Sequence, residues 1–254
     1  YERRRPDARK KGGLMLLFRI TAGAAAMIWV IYAIIPTCYY RYLHLNSLDP
    51  SADEHSLLLS FDDGPDENYT PQLLDILAKH QVKAIFFLPG FKAEMHPDLV
   101  RKIAEQGHQI GFHGYQHRNP WSMGFFHTAR DFHRGLAALK RLGIKPYWYR
   151  PPHGTITLGN LLLAKKAGLR PMLWTVLVGD WRNIGGDEVL ARLWDKVSIR
   201  EVICLHDSGE STGGEQGAPN GTLSAVERFI PQALAGGYQF IEPRNGVCNE
   251  NADK

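Results

Sequence analysis

The chain has 254 residues, 44% of them hydrophobic, which is enough to bury a full core in one large domain with a smaller appendage. Its net charge of +4 comes from the first eleven residues, which hold six basic and two acidic side chains and leave a neutral remainder. We therefore expect no nucleic-acid partner, because such domains carry basic stripes on the folded surface. The three cysteines show no Cys-x-x-Cys spacing, so neither a zinc ribbon nor a disulfide framework is indicated, and Cys204, inside an apolar run, is expected to be a buried small hydrophobe.

A long apolar segment follows the basic leader. Residues 14–35 are apolar apart from Arg19, Thr21 and one glycine. As a helix they would span roughly 33 Å, enough for a hydrocarbon core about 30 Å thick. We expect residues 14–36 to anchor the chain in the cell membrane as a single span. Because basic residues favour the cytoplasmic side, the leader, residues 1–13, would lie in the cytoplasm and the rest of the chain on the extracytoplasmic side.

Two other interpretations of the apolar segment stay open. It could be a signal peptide that is cleaved near the small residues 24–26, or it could be a buried helix of a soluble protein. Residues 37–54 are polar and mixed, and they predict a linker. One domain would then occupy residues 55–243, followed by a tail at residues 244–254.

From residue 54 onward, short β-like runs alternate with amphipathic helical stretches. This alternation is typical of βαβ units and a parallel sheet, and seven units favour a barrel over a small open sheet. Thr70 and Pro71 predict the start of the first helix, as its N-cap and its first helical residue. The predicted strands are 56–60, 83–88, 109–112, 146–150, 171–177, 201–205 and 238–241. The other predicted helices are 97–106, 129–142, 158–167, 187–196 and 222–235, and residues 208–220 predict a mobile loop.

Charged and imidazole side chains follow the ends of several predicted strands. Parallel barrels assemble their active sites at these carboxyl ends, so we expect the side chains to share one rim. They are Asp62, Asp63, His113, Arg150, Asp180 and His206. The remaining histidines match no such pattern and are interpreted as solvated or packing residues; they are His44, His55, His80, His96, His108, His127 and His133.

Asp63, His113 and His117 form the predicted metal site. The two histidines are four residues apart, a spacing that brings them to one face of a helix or tight turn. One carboxylate and two imidazoles are an open coordination for zinc that leaves room for water and substrate. We expect one divalent ion, with zinc preferred over cobalt or nickel. Taken alone, however, the Asp-Asp-Gly sequence at residues 62–64 is more typical of a turn.

The other rim residues suit proton transfer. Asp62 could take a proton from water, and His206 could give one to a leaving amine, since an imidazole has a pKa near 6.5. Arg150 and Asp180 could hold that carboxylate and that imidazole in the right orientation and charge state, or could simply form a structural salt bridge. Together these groups indicate metal-assisted hydrolysis.

Five segments, in this order, resemble the polysaccharide deacetylase family, the carbohydrate esterases that share the NodB homology domain. The resemblance covers about residues 57–241 and implies a distorted (β/α)7 barrel that removes N-acetyl or O-acetyl groups from glycans. The segments are Ser60-Phe61-Asp62-Asp63-Gly64, His113 to His117, Arg150-Pro151-Pro152-His153-Gly154, Asp180-Trp181 and Leu205-His206.

The resemblance also implies roles for individual residues. Asp62 would be the catalytic base and His206 the catalytic acid, while Arg150 would orient Asp62 and Asp180 would tune His206. The metal ligands would be Asp63, His113 and His117, and the substrate or its oxyanion would meet the His153 backbone N–H and Trp181. Two positions depart from the family pattern, since Gly114 replaces a usual Ser or Thr and His153 replaces a common Tyr.

We therefore expect a membrane-anchored, metal-dependent hydrolase that acts on carbon–nitrogen bonds other than peptide bonds. Its substrate would be an acetylated glycan, with N-acetyl groups of amino sugars preferred, in a cell-envelope polysaccharide such as peptidoglycan or in a chitin-like oligomer. A water activated by the metal would be the nucleophile. One alternative is a deacylase of a lipid-linked sugar or of a small amide, and another is a non-catalytic, membrane-tethered barrel that binds glycans.

Overall fold

The structure is a computed structural model that describes residues 8–42, 53–209 and 214–242. The predicted tail and most of the predicted linker lie outside these residues. The strands are β1 (Ser56–Asp62), β2 (Ala84–Leu88), β3 (Gln109–Phe112), β4 (Trp148–Tyr149), β5 (Arg170–Pro171), β6 (Val176–Leu177), β7 (Glu201–His206) and β8 (Gln239–Phe240). The helices are α1 (Ala8–Trp29), α2 (Ile35–Tyr42), α3 (Thr70–Lys79), α4 (Gly90–Met95), α5 (Pro97–Glu105), α6 (Phe125–Arg141), α7 (Leu158–Lys166), α8 (Gly186–Lys196) and α9 (Ala218–Ala235).

The strands form one parallel sheet that curls on itself. Their order is β5-β4-β3-β2-β1-β7-β6, and β8 pairs with the start of β1. The two edge strands, β5 and β6, are joined by residues 172–175 alone. An extended segment of this length reaches at most about 18 Å, so the two edges must approach each other. The predicted distorted α/β barrel is thereby confirmed, as a curled sheet in which no described pairing joins β5 to β6.

The predicted strand at 171–177 is wrong in its middle, because β5 ends at Pro171 and β6 begins at Val176. Between them, the carbonyl groups of Met172 and Leu173 accept hydrogen bonds of 3.1 and 2.8 Å from the Arg150 guanidinium. A buried side chain has thus taken two carbonyl groups that a continuous strand would offer to its neighbour.

The helices follow the prediction, with different starts. α6 and α9 each begin four residues earlier than predicted, and α4 has no predicted counterpart. The predicted cap of α3 is wrong, since Tyr69 is the N-cap residue and Thr70 is the first residue of the helix. The Thr70 hydroxyl instead accepts the Asp66 N–H at 2.8 Å and donates to Asp207 Oδ2 at 2.6 Å. A long-range carboxylate has therefore replaced the local capping contact.

The N-terminal helix runs further than the predicted span. Residues 37–42, predicted as linker, are helical, and Pro36 and Thr37 are buried against the domain. A π-helical segment, Val30–Ile34, precedes Pro36, whose ring cannot supply a helical N–H. By length and composition, Gly13–Tyr42 could cross a membrane, and its most apolar 18-residue window is not buried in the domain. A signal sequence near an N-terminus meets the same criterion.

Successive residues of β1 face two separate cores. Leu57, Leu59 and Phe61 pack in the larger core between the sheet and the helices. Leu58 packs in a smaller core inside the curled sheet, together with residues such as Phe87. Because side chains alternate along a strand, Ser60 and Asp62 continue the inner face beyond Leu58.

The same alternation along β7 places its polar side chains on the inner face of the sheet. Val202 belongs to the inner core, so Cys204 and His206 follow it on the inner face. The register pairs Ser60 with Cys204 and Asp62 with His206. The polar residues of both strands therefore meet above the small inner core, at the carboxyl ends of the strands.

Candidate functional site

Arg150 links the inner core to Asp62. Its fully buried guanidinium donates to Asp62 Oδ1 at 2.6 Å and to Ser60 Oγ at 2.9 Å. The guanidinium carbon lies 4.0 Å from the centre of the Phe87 ring, at the top of the inner core. Because a guanidinium stays charged and its donors have fixed directions, this contact holds the Asp62 carboxylate in one orientation.

Asp63, His113 and His117 converge on one point, as predicted. Asp63 Oδ1 lies 3.4 Å from His113 Nε2 and 3.0 Å from His117 Nε2, and all three residues are buried. Burial would raise the pKa of Asp63, but the two imidazoles beside it hold that pKa well below its usual value. Burial would lower the pKa of His117, but the Asp63 carboxylate outweighs it and raises that pKa. Both shifts have the same cause, the attraction between the Asp63 carboxylate and the imidazoles beside it.

This cluster fits a metal ion. His113 Nδ1 lies 2.6 Å from the Arg150 carbonyl oxygen, a contact in which the nitrogen donates its proton and leaves a lone pair on Nε2. Asp63 Oδ1 is buried, and neither of its close imidazole contacts has the geometry of a hydrogen bond. The three donor atoms lie within 4.8 Å of one another. A carboxylate and two imidazoles at this separation can bind one divalent cation and leave its other positions open.

The backbone that carries the second histidine is held by Asp131, a residue of α6 that the sequence did not indicate. Its carboxylate accepts the N–H of Tyr115 at 2.8 Å and that of Gln116 at 3.2 Å. Gly114 has a φ of +77°, which favours glycine, and a Cβ there would approach the Asp131 carboxylate. The glycine at this position therefore suits the loop, and the carboxylate supplies bracing that a hydroxyl at position 114 would otherwise provide.

His206 is tied to Asp180 by two hydrogen bonds. Its Nδ1 lies 2.9 Å from Asp180 Oδ1, and its backbone N–H donates to Asp180 Oδ2 at 2.7 Å. The Thr222 hydroxyl donates to the same Oδ2 at 2.9 Å. Burial would lower the pKa of His206, but the charge of Asp180 and its hydrogen bond raise that pKa to about 9. The imidazole is therefore a proton donor over the neutral range.

Cys204 contacts the second oxygen of Asp62. Its thiol donates to Asp62 Oδ2 at 3.4 Å, and burial raises the pKa of the thiol well above its usual value. The prediction of a buried small hydrophobe describes its environment but omits this hydrogen bond. Asp62, Cys204 and His206 also bring their polar atoms within 4.8 Å of one another, beside the first cluster.

A pocket of about 320 Å³ lies beside these groups, and Asp63 and His117 of the metal cluster line it. His153 and Trp181, both predicted near the substrate, lie on its wall. The His153 backbone is left-handed, with a φ of 57°, and its ring centre is 4.6 Å from that of His117. Trp181 packs edge-on against His206, with ring centres 5.4 Å apart. Every predicted site residue therefore belongs to one contiguous region.

Three pocket residues were missed by the sequence interpretation, namely Leu177 at the end of β6, Trp174 and Arg41. Trp174 lies in the segment between β5 and β6, and the Arg150 guanidinium carbon is 5.6 Å from its ring centre. Arg41 lies at the end of α2, in the stretch predicted as a linker. No motif marks any of these residues, because each reaches the pocket only through the tertiary fold.

Two of the remaining histidines have packing roles, as expected. His108 is buried, and its ring accepts the backbone N–H of Ala84 at 3.2 Å, while burial lowers its pKa to about 4. His96 contacts Glu67 at 3.2 Å, on the surface. His44 lies outside the described residues.

Comparison with known proteins gives consistent matches. A profile of the family described as polysaccharide deacetylase matches residues 49–172. A peptidoglycan-N-acetylglucosamine deacetylase from Bacillus cereus is 29% identical over 191 residues, which cover 74% of this chain and 86% of the relative. A chitooligosaccharide deacetylase from Sinorhizobium fredii is 30% identical over 181 residues, which cover 69% of this chain and 84% of the relative.

Among solved structures, the Bc1960 peptidoglycan N-acetylglucosamine deacetylase, crystallised with a 4-naphthyl-N-hydroxybenzamide, superposes with a TM-score of 0.70. The two sequences are 32% identical, and the match covers 78% of this chain and 89% of that one. The similarity thus extends over more than three quarters of this chain.

Proposed function

Because the chain belongs to the polysaccharide deacetylase family, we propose that its site hydrolyses the acetamide of N-acetylated amino sugars in a cell-envelope glycan such as peptidoglycan. Enzymes of this family are hydrolases that act on amide bonds of sugars and generally use a divalent metal ion. One observation carries the proposal: a carboxylate held by Arg150 and an imidazole held by Asp180 lie beside a three-donor metal cluster, two of whose members line a pocket.

Asp63, His113 and His117 are proposed as the metal ligands. Zinc suits two imidazoles and a carboxylate, and cobalt or nickel would bind the same donors. A cation there supplies Lewis-acid polarisation of the acetyl carbonyl and makes nearby water more acidic. His113 is already oriented for this role by the Arg150 carbonyl group, which fixes its tautomer.

Asp62 is proposed as the base that takes a proton from the attacking water. Its Oδ1 is occupied by Arg150, so Oδ2 is the oxygen available for proton transfer, 3.8 Å from His113 Nε2. A fixed carboxylate loses no orientational freedom during the reaction, which favours the transition state. The buried Arg150 holds the carboxylate in position.

His206 is proposed as the acid that protonates the departing amine. Asp180 accepts its Nδ1–H, which leaves Nε2–H to face the substrate. The His153 backbone N–H is proposed to help bind the oxyanion, and Trp181 to line the subsite that holds the acetyl group. Trp181 also restricts the motion of the imidazole by packing against it.

The apolar helix supports a membrane location for the enzyme. We propose that residues 14–36 span the cell membrane once, that residues 1–13 remain in the cytoplasm, and that the domain at 55–243 lies outside with its tail, 244–254. If a peptidase cleaved near residues 24–26, the exposed apolar side chains that follow would stay on a soluble domain. Fractionation of cells, with protease digestion of intact spheroplasts, tests this topology; a domain in the soluble fraction contradicts it.

Acetate release from N-acetylglucosamine oligomers tests the activity. The full chain in detergent should release acetate, lose the activity on chelation and regain it with zinc. Asp62→Asn should reduce the rate at least about a hundredfold, whereas Asp75→Asn, at an exposed carboxylate on α3, should not. Activity that survives Asp62→Asn rejects the proposed base, and glycan binding without any acetate release favours the non-catalytic alternative.

A further inference from the structure

The end of the N-terminal helix forms part of the wall of the candidate site. Arg41, on the last turn of α2, lines the same pocket as Asp63 and His117. Its guanidinium carbon lies 5.8 Å from the centre of the Trp174 ring, a distance that suits a cation–π contact. The side chain is nevertheless exposed, so its charge faces the pocket and the solvent that enters it.

The domain holds this part of the helix firmly. The Thr37 hydroxyl accepts the Ile156 N–H and donates to the Ile156 carbonyl group, both at 2.8 Å, and it also accepts the Trp121 indole N–H at 3.1 Å. Trp29 packs edge-on against Trp121, with ring centres 5.6 Å apart. Since Thr37 lies one helical turn before Arg41, these contacts fix where the guanidinium can reach.

The same helix sets the depth of the pocket relative to a membrane. The apolar run ends at residue 35, and Arg41 lies six residues further, about 9 Å along a helix that rises about 1.5 Å per residue. The headgroup region extends about 5–8 Å beyond each side of the hydrocarbon core. If residues 14–36 span the bilayer, Arg41 and the pocket lie at the outer edge of the headgroup region.

Exposed apolar side chains near the helix point to the same orientation. Phe126 is 84% exposed and Phe125 40%, at the start of α6, while Leu158 is 48% and Leu162 45% exposed on α7. Tyr32 of the N-terminal helix packs at Gly159, where an added Cβ would overlap its hydroxyl and meet Phe125. This side of the domain is therefore continuous with the apolar helix and suits contact with lipid.

A neutral acetylated sugar has no charge for Arg41 to bind, whereas a guanidinium pairs well with a phosphate. We propose that the substrate is an N-acetylated sugar joined through phosphate to a membrane lipid, and that Arg41 binds this phosphate. This inference rests on the proposed deacetylation and names its substrate class. The sugar would enter the pocket from the bilayer surface, with its acetamide at the metal cluster and its phosphate at Arg41.

The full chain in lipid nanodiscs allows a direct test with three substrates: N-acetylglucosamine linked to a polyprenyl diphosphate, soluble N-acetylglucosamine 1-phosphate, and a neutral chitooligosaccharide. Arg41→Gln should raise KM for the lipid-linked sugar about tenfold with little change in kcat, and should leave the neutral oligomer unaffected. Arg41→Lys should fall between Arg41→Gln and the unaltered chain. Arg101→Gln, at an exposed arginine on α5, is the matched control and should change the kinetics with neither the lipid-linked sugar nor the neutral oligomer.

Two outcomes overturn the inference. If Arg41→Gln impairs the neutral and the lipid-linked substrate alike, the arginine has only a structural role. If the soluble sugar phosphate is deacetylated as efficiently as the lipid-linked one, the phosphate is recognised but the membrane does not present it.

Measurements of binding test the lipid-linked ligand independently of the proposed deacetylation. In an Asp62→Asn background, the affinity of the nanodisc-embedded chain for the lipid-linked sugar should fall about tenfold on Arg41→Gln. Such a fall supports the lipid-linked ligand, and if the chain with Asp62 intact releases no acetate from any substrate, the deacetylation is refuted. Acetate release from neutral oligomers alone, with no binding of the lipid-linked sugar, supports the deacetylation and refutes the ligand.

Discussion

Asp62 and His206 are paired in register on the adjacent strands β1 and β7, and both side chains face the inside of the curled sheet. Each has its own charged partner, Arg150 for the carboxylate and Asp180 for the imidazole. The pair therefore places a carboxylate acceptor beside an imidazole donor, with their polar atoms within 4.8 Å of each other. An acceptor and a donor at this separation are what a reaction needs when it removes a proton from water and delivers one to nitrogen.

The contact between Asp180 and His206 predicts how the activity depends on pH. Because the pKa of His206 is raised to about 9, kcat/KM should fall as the pH rises through about 9. The same raised pKa contributes stability that is present below about 6.5 and is lost as the pH rises through about 9. Asp180→Asn removes the charge, and its amide nitrogen would face Nδ1, since Oδ2 already accepts two hydrogen bonds. The alkaline limb of the kcat/KM profile of Asp180→Asn should therefore lie at a pH lower by about two units or more.

A control variant separates the effect of the Asp180 charge from the effect of the hydrogen bonds that hold its carboxylate in place. Thr222→Val removes one donor to the carboxylate and keeps the charge. The alkaline limb of the pH profile of Thr222→Val should not move to lower pH. An Asp180→Asn profile that coincides with that of the unaltered enzyme would mean that His206 is not the titrating acid.

The brace under the metal loop predicts an effect on metal affinity. Asp131→Ala removes the acceptor of two backbone N–H groups, those of Tyr115 and Gln116, and so loosens the position of His117. Loss of such outer contacts typically weakens metal binding about 10–100-fold. Competition with a chromogenic chelator should show this loss, and saturating zinc should restore most of kcat. Asp131→Asn keeps one acceptor oxygen and should bind metal with intermediate affinity; equal affinity for all three proteins would rule out the brace.

Local sequence patterns predicted the rim but could not predict how its residues are supported. Asp62 and His206 were expected together because strands of a parallel barrel end on one rim. Cys204 was expected to be buried, but its hydrogen bond to Asp62 depends on the register of two strands that are distant in sequence. Arg41 was assigned to a linker, because the packing of Thr37 on the domain leaves no local signal. Thr70 has a helix-capping pattern, yet a buried carboxylate from another strand end takes its hydroxyl.

Cys204 is expected to position Asp62 through its thiol. Cys204→Ala removes the donor to Oδ2 and leaves a small void, so kcat should fall about three- to tenfold. Cys204→Ser keeps a hydroxyl donor of similar size and should retain most of the rate. Initial rates of acetate release at saturating substrate measure the difference. Equal losses for both variants would indicate that packing, rather than the hydrogen bond, explains the effect.

Asp207 links the site to the stability of the protein. One of its oxygens accepts the Thr70 hydroxyl, and the other is buried without a partner among the described residues. Burial, with the nearby charges of Asp63 and Asp66, raises its pKa to about 7. A carboxyl group whose pKa is raised by folding favours the folded state while it is neutral, so its contribution is lost as the pH rises from about 4 through about 7.

Asp207→Asn should remove this pH dependence. A pKa shift of this size corresponds to a gain in the free energy of unfolding of at most about 4 kcal/mol for Asp207→Asn. Partial relaxation around the buried carboxylate should reduce the gain observed at pH 8 to about 1–3 kcal/mol. In metal-free protein, the melting temperature of Asp207→Asn should therefore exceed that of the unaltered chain at pH 8 by about 2–10 °C and match it more closely at pH 5. Asp187→Asn, at a carboxylate that is 96% exposed, should show no such difference between the two pH values. If Asp207→Asn is the less stable protein at pH 8, the buried carboxylate is ionised and holds the loop through its charge.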